Sequence, residues 1–146
     1  MARGFHRCVW TLGLTILLVS AAMASERQRI SFLLHCSGCH QPDGSGSPDS
    51  GIPDMRGSIG HYLRLPEGRA YLVQVPGTSQ SSLNDKDTAT LLNWMVSTLA
   101  GQQVPADFLP YTQDEVSRLR ATPLDDVSGA RTQVVTRLQQ MGYRIE

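Results

Sequence analysis

The sequence predicts an all-α fold, and two observations point to it. Apolar residues recur at three- and four-residue spacings in several segments, and residues typical of helix N-caps precede three of these segments. No segment shows the alternation of apolar and polar residues that is typical of a half-buried strand. The chain has 146 residues, of which 40% are hydrophobic and 18% charged, and this composition is typical of a folded protein rather than a disordered one.

The first 24 residues are typical of a secretory signal peptide. Arg3 and Arg7 precede a short apolar run, which ends in Ala22-Met23-Ala24. The alternative is a single membrane anchor, but the uncharged stretch over residues 8–25 is marginal for a span and ends in small residues. We therefore predict cleavage after residue 24, export to the periplasm and no membrane span in the mature protein.

The charge of the chain excludes one class of partner. Thirteen basic residues balance 13 acidic ones, and removal of residues 1–24 takes away two Arg and no acid, which leaves a formal charge of −2. A protein that binds nucleic acid or an anionic membrane needs a net positive face. We therefore expect neither kind of partner.

The most specific chemical signal is the motif Cys36-Ser37-Gly38-Cys39-His40. Two thiols at this spacing can form thioether bonds to the two vinyl groups of one haem, and the adjacent imidazole then ligates the iron. A zinc site would need two further ligands, a thioredoxin-like dithiol would need a preceding strand, and a disulfide across two residues would stabilise little. We predict one covalently bound haem c, with Cys36 and Cys39 as attachment residues and His40 as a metal ligand.

Three helices are expected around the motif. They cover residues 26–34 with Ser25 as N-cap, Glu67–Val73, and residues 85–99 with Asn84 as N-cap and Asp87 three residues later. The expected buried faces carry Ile30, Leu33 and Leu34 in the first helix and Leu91, Leu92, Met95, Val96 and Leu99 in the last. Residues 41–60 are rich in Gly, Pro and Ser and are expected to form a loop.

Residues 25–100 resemble a class I c-type cytochrome. The resemblance includes an entry helix, the attachment motif, a glycine-rich loop and a closing helix with the sequence LLNW. In that family the first and last helices cross and cover the haem edge. The stretch Gly51–Gly57 is similar to the family's Gly-Pro-x-Leu-x-Gly loop, whose proline carbonyl accepts a hydrogen bond from the ligating histidine. The resemblance therefore implies that Pro53 orients His40.

One departure from this family concerns the sixth iron ligand. The family usually places a methionine in the loop before the last helix, but residues 75–82 contain neither Met nor His. We expect Met95, on the closing helix, to be this metal ligand. One alternative is an open coordination position. The others are His61 in an exposed loop, Met55 and Met141, and each of these three residues also fits an ordinary structural role.

Residues 104–146 are interpreted as a helical extension of a haem domain that covers residues 25–103. A capping box of Thr112 and Glu115 predicts a first helix, and an apolar stripe over residues 127–141 predicts a second. Because the extension has no core of its own, we expect it to wrap the haem domain. The alternative is an arm that docks a partner.

The resemblance implies electron transfer rather than catalysis. No Ser-His-Asp set, pair of carboxylates or phosphate-binding glycine loop accompanies the haem motif, so we do not expect an enzyme. The expected function is a periplasmic one-electron carrier between a dehydrogenase donor and an acceptor that is a terminal oxidase or another cytochrome. The alternatives are a haem enzyme or sensor with an open distal site, and a cytochrome subunit bound to an oxidoreductase.

Overall fold

The described part of the chain is helical, which confirms the predicted all-α fold. The computed structural model describes residues 22–145, where no strand forms and the one β-bridge joins Ser47 to Ile52. The helices are α1 (22–35 in the described range), α2 (Ser37–His40), α3 (Ile59–Tyr62), α4 (Pro66–Gln74), α5 (Pro76–Ser79), α6 (Asp85–Leu99), α7 (Gln113–Arg120) and α8 (Val127–Gln140). Two 3-10 turns cover Pro48–Ser50 and Gly101–Gln103. None of the helices in residues 22–145 is long and apolar enough to cross a membrane.

The predicted signal peptide lies outside the described residues except for its last three residues. These three residues belong to helix α1, so the prediction that Ser25 caps this helix is wrong. Ala22, Met23 and Ala24 all have high helix propensity, and the helix is therefore already formed at residue 22.

Helix α1 buries a different face from the predicted one. Of the predicted face, Ile30 and Leu34 are 48% and 75% exposed and Leu33 is half-buried, whereas Phe32 is 1% exposed. The Phe32 ring lies 5.8 Å from the Trp94 ring of α6, centroid to centroid. An aromatic ring buries more apolar area than an aliphatic side chain, and its packing on α6 therefore decides which side of α1 faces inward.

Helix α6 forms the centre of the first core. Asn84 Oδ1 accepts a hydrogen bond of 2.9 Å from the Asp87 N–H, which confirms the predicted N-cap. The predicted stripe is also confirmed: its first four members are buried and Leu99 is half-buried. The buried residues of this first cluster are Phe32, Met55, Ile59, Val73, Ala89, Leu91, Leu92, Met95, Val96, Ala100, Tyr111 and Val116.

The C-terminal extension packs against helices α3, α4 and α6. Its residues Tyr111 and Val116 belong to the first cluster. A second cluster is shared between the α3–α4 region and the extension, and its buried members are Tyr62, Leu65, Tyr71, Val134, Leu138 and Ile145. The extension therefore lies along the rest of the protein instead of projecting from it as an arm.

Met141 does not belong to the buried stripe that was predicted for the extension. Helix α8 ends at Gln140, and Met141 is 52% exposed. The chain turns at Gly142, whose φ is 91°, and Ile145 folds back to be buried in place of Met141, with 6% of its surface exposed. A left-handed φ favours glycine, so the turn is encoded locally, but the direction of the tail is not.

Two polar contacts fix the extension to the helices beneath it. Arg69 donates from Nε and Nη2 to the two carboxylate oxygens of Glu115, at 2.6 and 2.7 Å. The Asn93 side chain donates to the Tyr111 carbonyl at 3.0 Å and accepts from the Tyr111 N–H at 2.7 Å. Both pairs are partly buried, where hydrogen bonds of this kind contribute more than on the surface.

We expect Glu115→Gln to reduce the free energy of unfolding by about 2 kcal/mol near neutral pH, because it breaks a partly buried, bidentate pair with Arg69. The hydrogen bonds from Arg69 hold the pKa of Glu115 below its usual value of 4.5. This stabilisation is therefore present above that pH and is lost as the pH falls through the lower folded-state pKa. Urea unfolding of wild type and Glu115→Gln should show a smaller difference in the free energy of unfolding at about pH 3 than at about pH 7.

The matched control is Glu26→Gln, which breaks an exposed pair with Arg29. Both side chains of that pair are more than half exposed, at 56% and 55%. We expect a change within about 0.5 kcal/mol for this variant. A loss in Glu115→Gln that is the same at both pH values would contradict the ionic interpretation.

Candidate haem-binding site

The attachment residues lie on a short helical turn that follows helix α1. The N–H of Cys36 donates to the Phe32 carbonyl at 2.9 Å, and the N–H of His40 donates to the Cys36 carbonyl at 3.0 Å. Residues three and four positions apart on a helix lie on the same side of it. Cys36, Cys39 and His40 therefore share one face, as two thioether bonds and one axial ligand to a single haem require.

The two thiols differ in environment. Cys36 is half-buried and packs against the first cluster, whereas Cys39 is exposed, and both are free. Burial, and to a smaller extent the nearby Cys39, raises the pKa of Cys36 to about 11. A redox-active dithiol depends on a lowered thiol pKa, and the pKa of Cys36 is raised instead.

The imidazole of His40 has its Nδ1 atom inside the protein. Burial lowers the pKa of His40, and the Pro53 carbonyl raises it by a smaller amount. The carbonyl is thus close to the ring, although Nδ1 has no hydrogen bond of ordinary geometry to any described residue. Because Nδ1 is the buried nitrogen, Nε2 is the nitrogen that remains for a metal.

The glycine-rich loop places Pro53 beside His40. The N–H of Gly46 donates to the His40 carbonyl at 2.9 Å, and that of Met55 donates to the Gly44 carbonyl at 2.9 Å. Gly46 has a φ of 67°, and a Cβ atom at this position would lie 2.4 Å from the Pro53 oxygen. Glycine is therefore required here by backbone conformation and by space. These residues fit a covalently attached haem. They provide two free thiols and an imidazole whose buried nitrogen lacks a partner, and Cys36 packs against the apolar first cluster.

The candidates for a sixth ligand lie in different environments. Met95 and Met55 are 7% and 8% exposed and belong to the first cluster. Met141 is on the surface, so the prediction of a core position for it is wrong. His61 was predicted in an exposed loop but lies in helix α3, half-buried, because the Tyr143 ring of the extension covers it at 4.8 Å.

Arg120 is a structural residue that sequence reasoning missed. Its guanidinium donates to the carbonyls of Ser79, Leu83 and Ser81 at 3.0, 2.8 and 2.8 Å and to the Asp85 carboxylate at 2.9 Å. It thereby fixes the segment before α6, where the sequence contains neither Met nor His. In the sequence Arg120 is simply a basic residue in the last turn of a helix, and no local pattern indicates these contacts.

Two curated proteins resemble this chain. A cytochrome c-552 of Thermus thermophilus is 26% identical over 129 residues, which span 76% of this chain and 86% of that protein. A second cytochrome c-552 of Thermus thermophilus is 30% identical over 107 residues, which span 61% of this chain and 81% of that protein. No protein-family model and no solved structure matches the chain. Because the 30% identity extends over 81% of that relative, the chain belongs to the c-type cytochromes, electron-transfer proteins with covalently bound haem.

Proposed function

We propose that this protein is an exported carrier of single electrons with one haem c, attached through Cys36 and Cys39 and ligated by His40. The observation that carries the proposal is the helical turn on which the two thiols and the imidazole share a face, with His40 Nδ1 buried and the Pro53 carbonyl close to the ring. A haem bound there would supply an iron that changes its charge by one electron. Cys39 is exposed, so the attachment turn itself reaches the surface that a redox partner can approach.

We propose Met95 as the second axial ligand. It is 7% exposed and belongs to the cluster against which Cys36 packs. Its thioether sulfur is a soft donor that suits reduced iron, and its unbranched side chain adapts readily to a neighbouring group. Met55 is equally buried, but it lies two residues after Pro53, on the segment that faces His40. This placement favours Met95 for the opposite side of the haem.

The proposed location is the periplasm, and the proposed partners are a dehydrogenase as donor and a terminal oxidase or another cytochrome as acceptor. The basic start, apolar run and Ala-x-Ala sequence of residues 1–24 support export. Covalent attachment suits an exported protein because the cofactor cannot be lost to the surroundings. Filled axial positions suit a carrier because little then rearranges when the electron arrives or leaves.

The test is a pair of volume-conserving variants, Met95→Leu and Met55→Leu, made in the holoprotein. Swaps of this kind usually cost less than about 1.5 kcal/mol, so both proteins should fold. We expect the oxidised wild type to show the weak near-infrared sulfur–iron band and the reduced wild type not to bind carbon monoxide. Met95→Leu should lose the band, lower the reduction potential and bind carbon monoxide, whereas Met55→Leu should behave as wild type.

Three results would overturn the assignment of Met95. Loss of the near-infrared band in Met55→Leu alone would identify Met55 as the ligand. A spectrum of bis-histidine type that is lost in His61→Asn would identify His61. Rapid binding of carbon monoxide by the reduced wild type would show that the sixth coordination position of the iron is open, and would favour a haem sensor. The segment that Arg120 fixes before α6 contains neither Met nor His, which is consistent with that outcome.

A further inference from the structure

The C-terminal tail, residues 141–145, lies over two basic side chains at the end of helix α3. The Tyr143 ring lies 4.8 Å from the His61 ring, centroid to centroid, and its centroid lies 4.6 Å from the Arg64 guanidinium carbon. Arg64 follows α3 directly, and its N–H donates to the His61 carbonyl at 3.1 Å. One aromatic side chain of the tail therefore covers both basic groups.

The tail is held to the rest of the protein by short-range contacts and one buried side chain. The Tyr143 N–H donates to the Leu138 carbonyl at 3.1 Å, and the Gln139 side chain donates to the Ile145 carbonyl at 3.2 Å. Ile145 is 6% exposed and belongs to the second cluster. A terminal segment of this length can open locally while the rest of the protein stays folded.

The closed tail is compatible with neutral His61 and not with protonated His61. Nδ1 of His61 is buried and has no hydrogen-bond partner among residues 22–145. A neutral imidazole can leave this nitrogen without a proton, whereas an imidazolium carries an N–H on both nitrogens. Protonation would therefore create a buried charge and a buried donor without an acceptor, and both are costly.

Arg64 adds a fixed positive charge beside His61. Arg64 Nη2 donates to the Gln103 carbonyl at 3.0 Å, which holds the guanidinium in place. Within residues 22–145, no carboxylate forms an ion pair with Arg64. Burial, and then the charge of Arg64, lower the pKa of His61. Two neighbouring cations under one aromatic ring would repel each other.

The elements that pack against α3 do not supply a compensating charge. These elements are α4, α6, α8, the turn Gly101–Gln103 and the tail. Their ionisable side chains near α3 are engaged in other pairs: Glu67 with Arg137, Arg69 with Glu115, and Arg131 with the Tyr62 hydroxyl. Arg144 of the tail is exposed, and neither the last turn of α6 nor the turn Gly101–Gln103 carries an ionisable side chain. Among residues 22–145, these elements leave no unpaired carboxylate beside a protonated His61.

We propose that His61, Arg64 and Tyr143 form a pH-sensitive latch, which holds the C-terminal tail closed while His61 is neutral and releases it when His61 is protonated. The latch goes beyond electron transfer and does not depend on the bound haem. Release would withdraw Ile145 from the second cluster and uncover the apolar side chains beneath it, which include Tyr62 and Leu65. The extension would then present a different surface in acid from the one that it presents at neutral pH.

The direction of the pH dependence follows from the two forms of the tail. In the open form His61 reaches water and regains its ordinary pKa of 6.5, whereas in the closed form its pKa is lower. The open form therefore binds more protons as the pH falls below 6.5, so acid favours opening and opening is independent of pH well above 6.5. The ordinary pKa of histidine limits the increase in the opening equilibrium constant between pH 8 and pH 5 to about thirtyfold.

The experiment is hydrogen exchange of the holoprotein from pH 5 to pH 8, followed by mass spectrometry of the C-terminal peptide and corrected for the intrinsic exchange rate. We expect protection of this peptide to fall in acid in the wild type, within the limit of about thirtyfold. His61→Phe keeps an aromatic ring against Tyr143 but cannot be protonated, so its protection should not depend on pH. Arg64→Lys should keep the pH dependence and Arg64→Gln should weaken it. The matched control, His35→Phe, alters an exposed histidine at the end of α1 and should behave as wild type.

Four results would overturn the latch. They are protection of the wild-type tail that is the same at pH 5 and pH 8, an equal loss of protection in acid in His61→Phe, a parallel loss in a peptide from helix α6, and ligation of the haem iron by His61. The second would assign the pH dependence to another group, the third would indicate unfolding of the whole protein, and a ligated imidazole would not titrate. If His61→Phe fails to fold, His61→Gln decides the matter with the same measurement.

Discussion

Replacing Cys36 or Cys39 by Ser should abolish most of the stable holoprotein. Each variant would remove one of the two proposed thioether bonds, and a protein that loses its haem would lack the group that we propose to fill its interior. Intact mass of the exported wild type should show loss of residues 1–24 and gain of one haem that resists acid-acetone extraction. We expect Cys36→Ser to be the more severe variant, because Cys36 packs against the first cluster whereas Cys39 is exposed.

The matched control for these variants is Cys8→Ser. Cys8 lies in the predicted signal peptide, and we expect it to be absent from the mature protein, so its substitution should leave the yield of holoprotein unchanged. Haem that is extracted from wild type by acid-acetone would contradict the thioether assignment. A mass that corresponds to two haems would contradict the proposal of a single cofactor.

Truncation after Gln102 should lower the melting temperature sharply and promote aggregation. It would expose the α3–α4 side of the second cluster, including Tyr62, Leu65 and Tyr71, which are at most 9% exposed in the full chain. An apolar patch of this kind on a monomeric protein favours association. The truncation would also remove Glu115 from Arg69 and leave that guanidinium without its carboxylate.

A pair of point variants tests the same packing without removing a segment. Leu138 is fully buried and Met141 is 52% exposed, and both belong to the extension. We expect Leu138→Ala to reduce the free energy of unfolding by about 2–5 kcal/mol and Met141→Ala to change it by less than about 0.5 kcal/mol, measured by urea unfolding of the holoprotein. Equal and small effects, together with lost binding of a redox partner on truncation, would instead identify the extension as a docking arm.

Contacts between residues close in sequence could be predicted correctly. The caps at Asn84 and Thr112 each depend on a hydrogen bond to an N–H three residues later, and both are present. The same holds for the turn that brings Cys36, Cys39 and His40 onto one face, since helix geometry alone decides it. Assignment of these three residues as haem ligands remains a prediction.

Contacts between distant residues could not be predicted in this way. Arg69 and Glu115 are 46 residues apart, and Arg120 and Asp85 are 35 apart, and nothing in the local sequence marks either pair. Selection of Phe32 over Ile30 for burial depended on the position of Trp94. Each of these choices depends on which surface faces which, and that information exists only after the helices have packed.

The sequence by itself determined the helical class, the helix caps at Asn84 and Thr112, the attachment motif and the family to which these residues point. The tertiary structure alone decided which side of α1 is buried, that the extension covers His61 with Tyr143, and that Arg64 has no carboxylate partner among residues 22–145. The physical reason is the distance along the sequence over which each kind of interaction acts. Backbone hydrogen bonds and helix periodicity act over three or four residues, whereas burial and charge compensation depend on side chains that only the folded chain brings together.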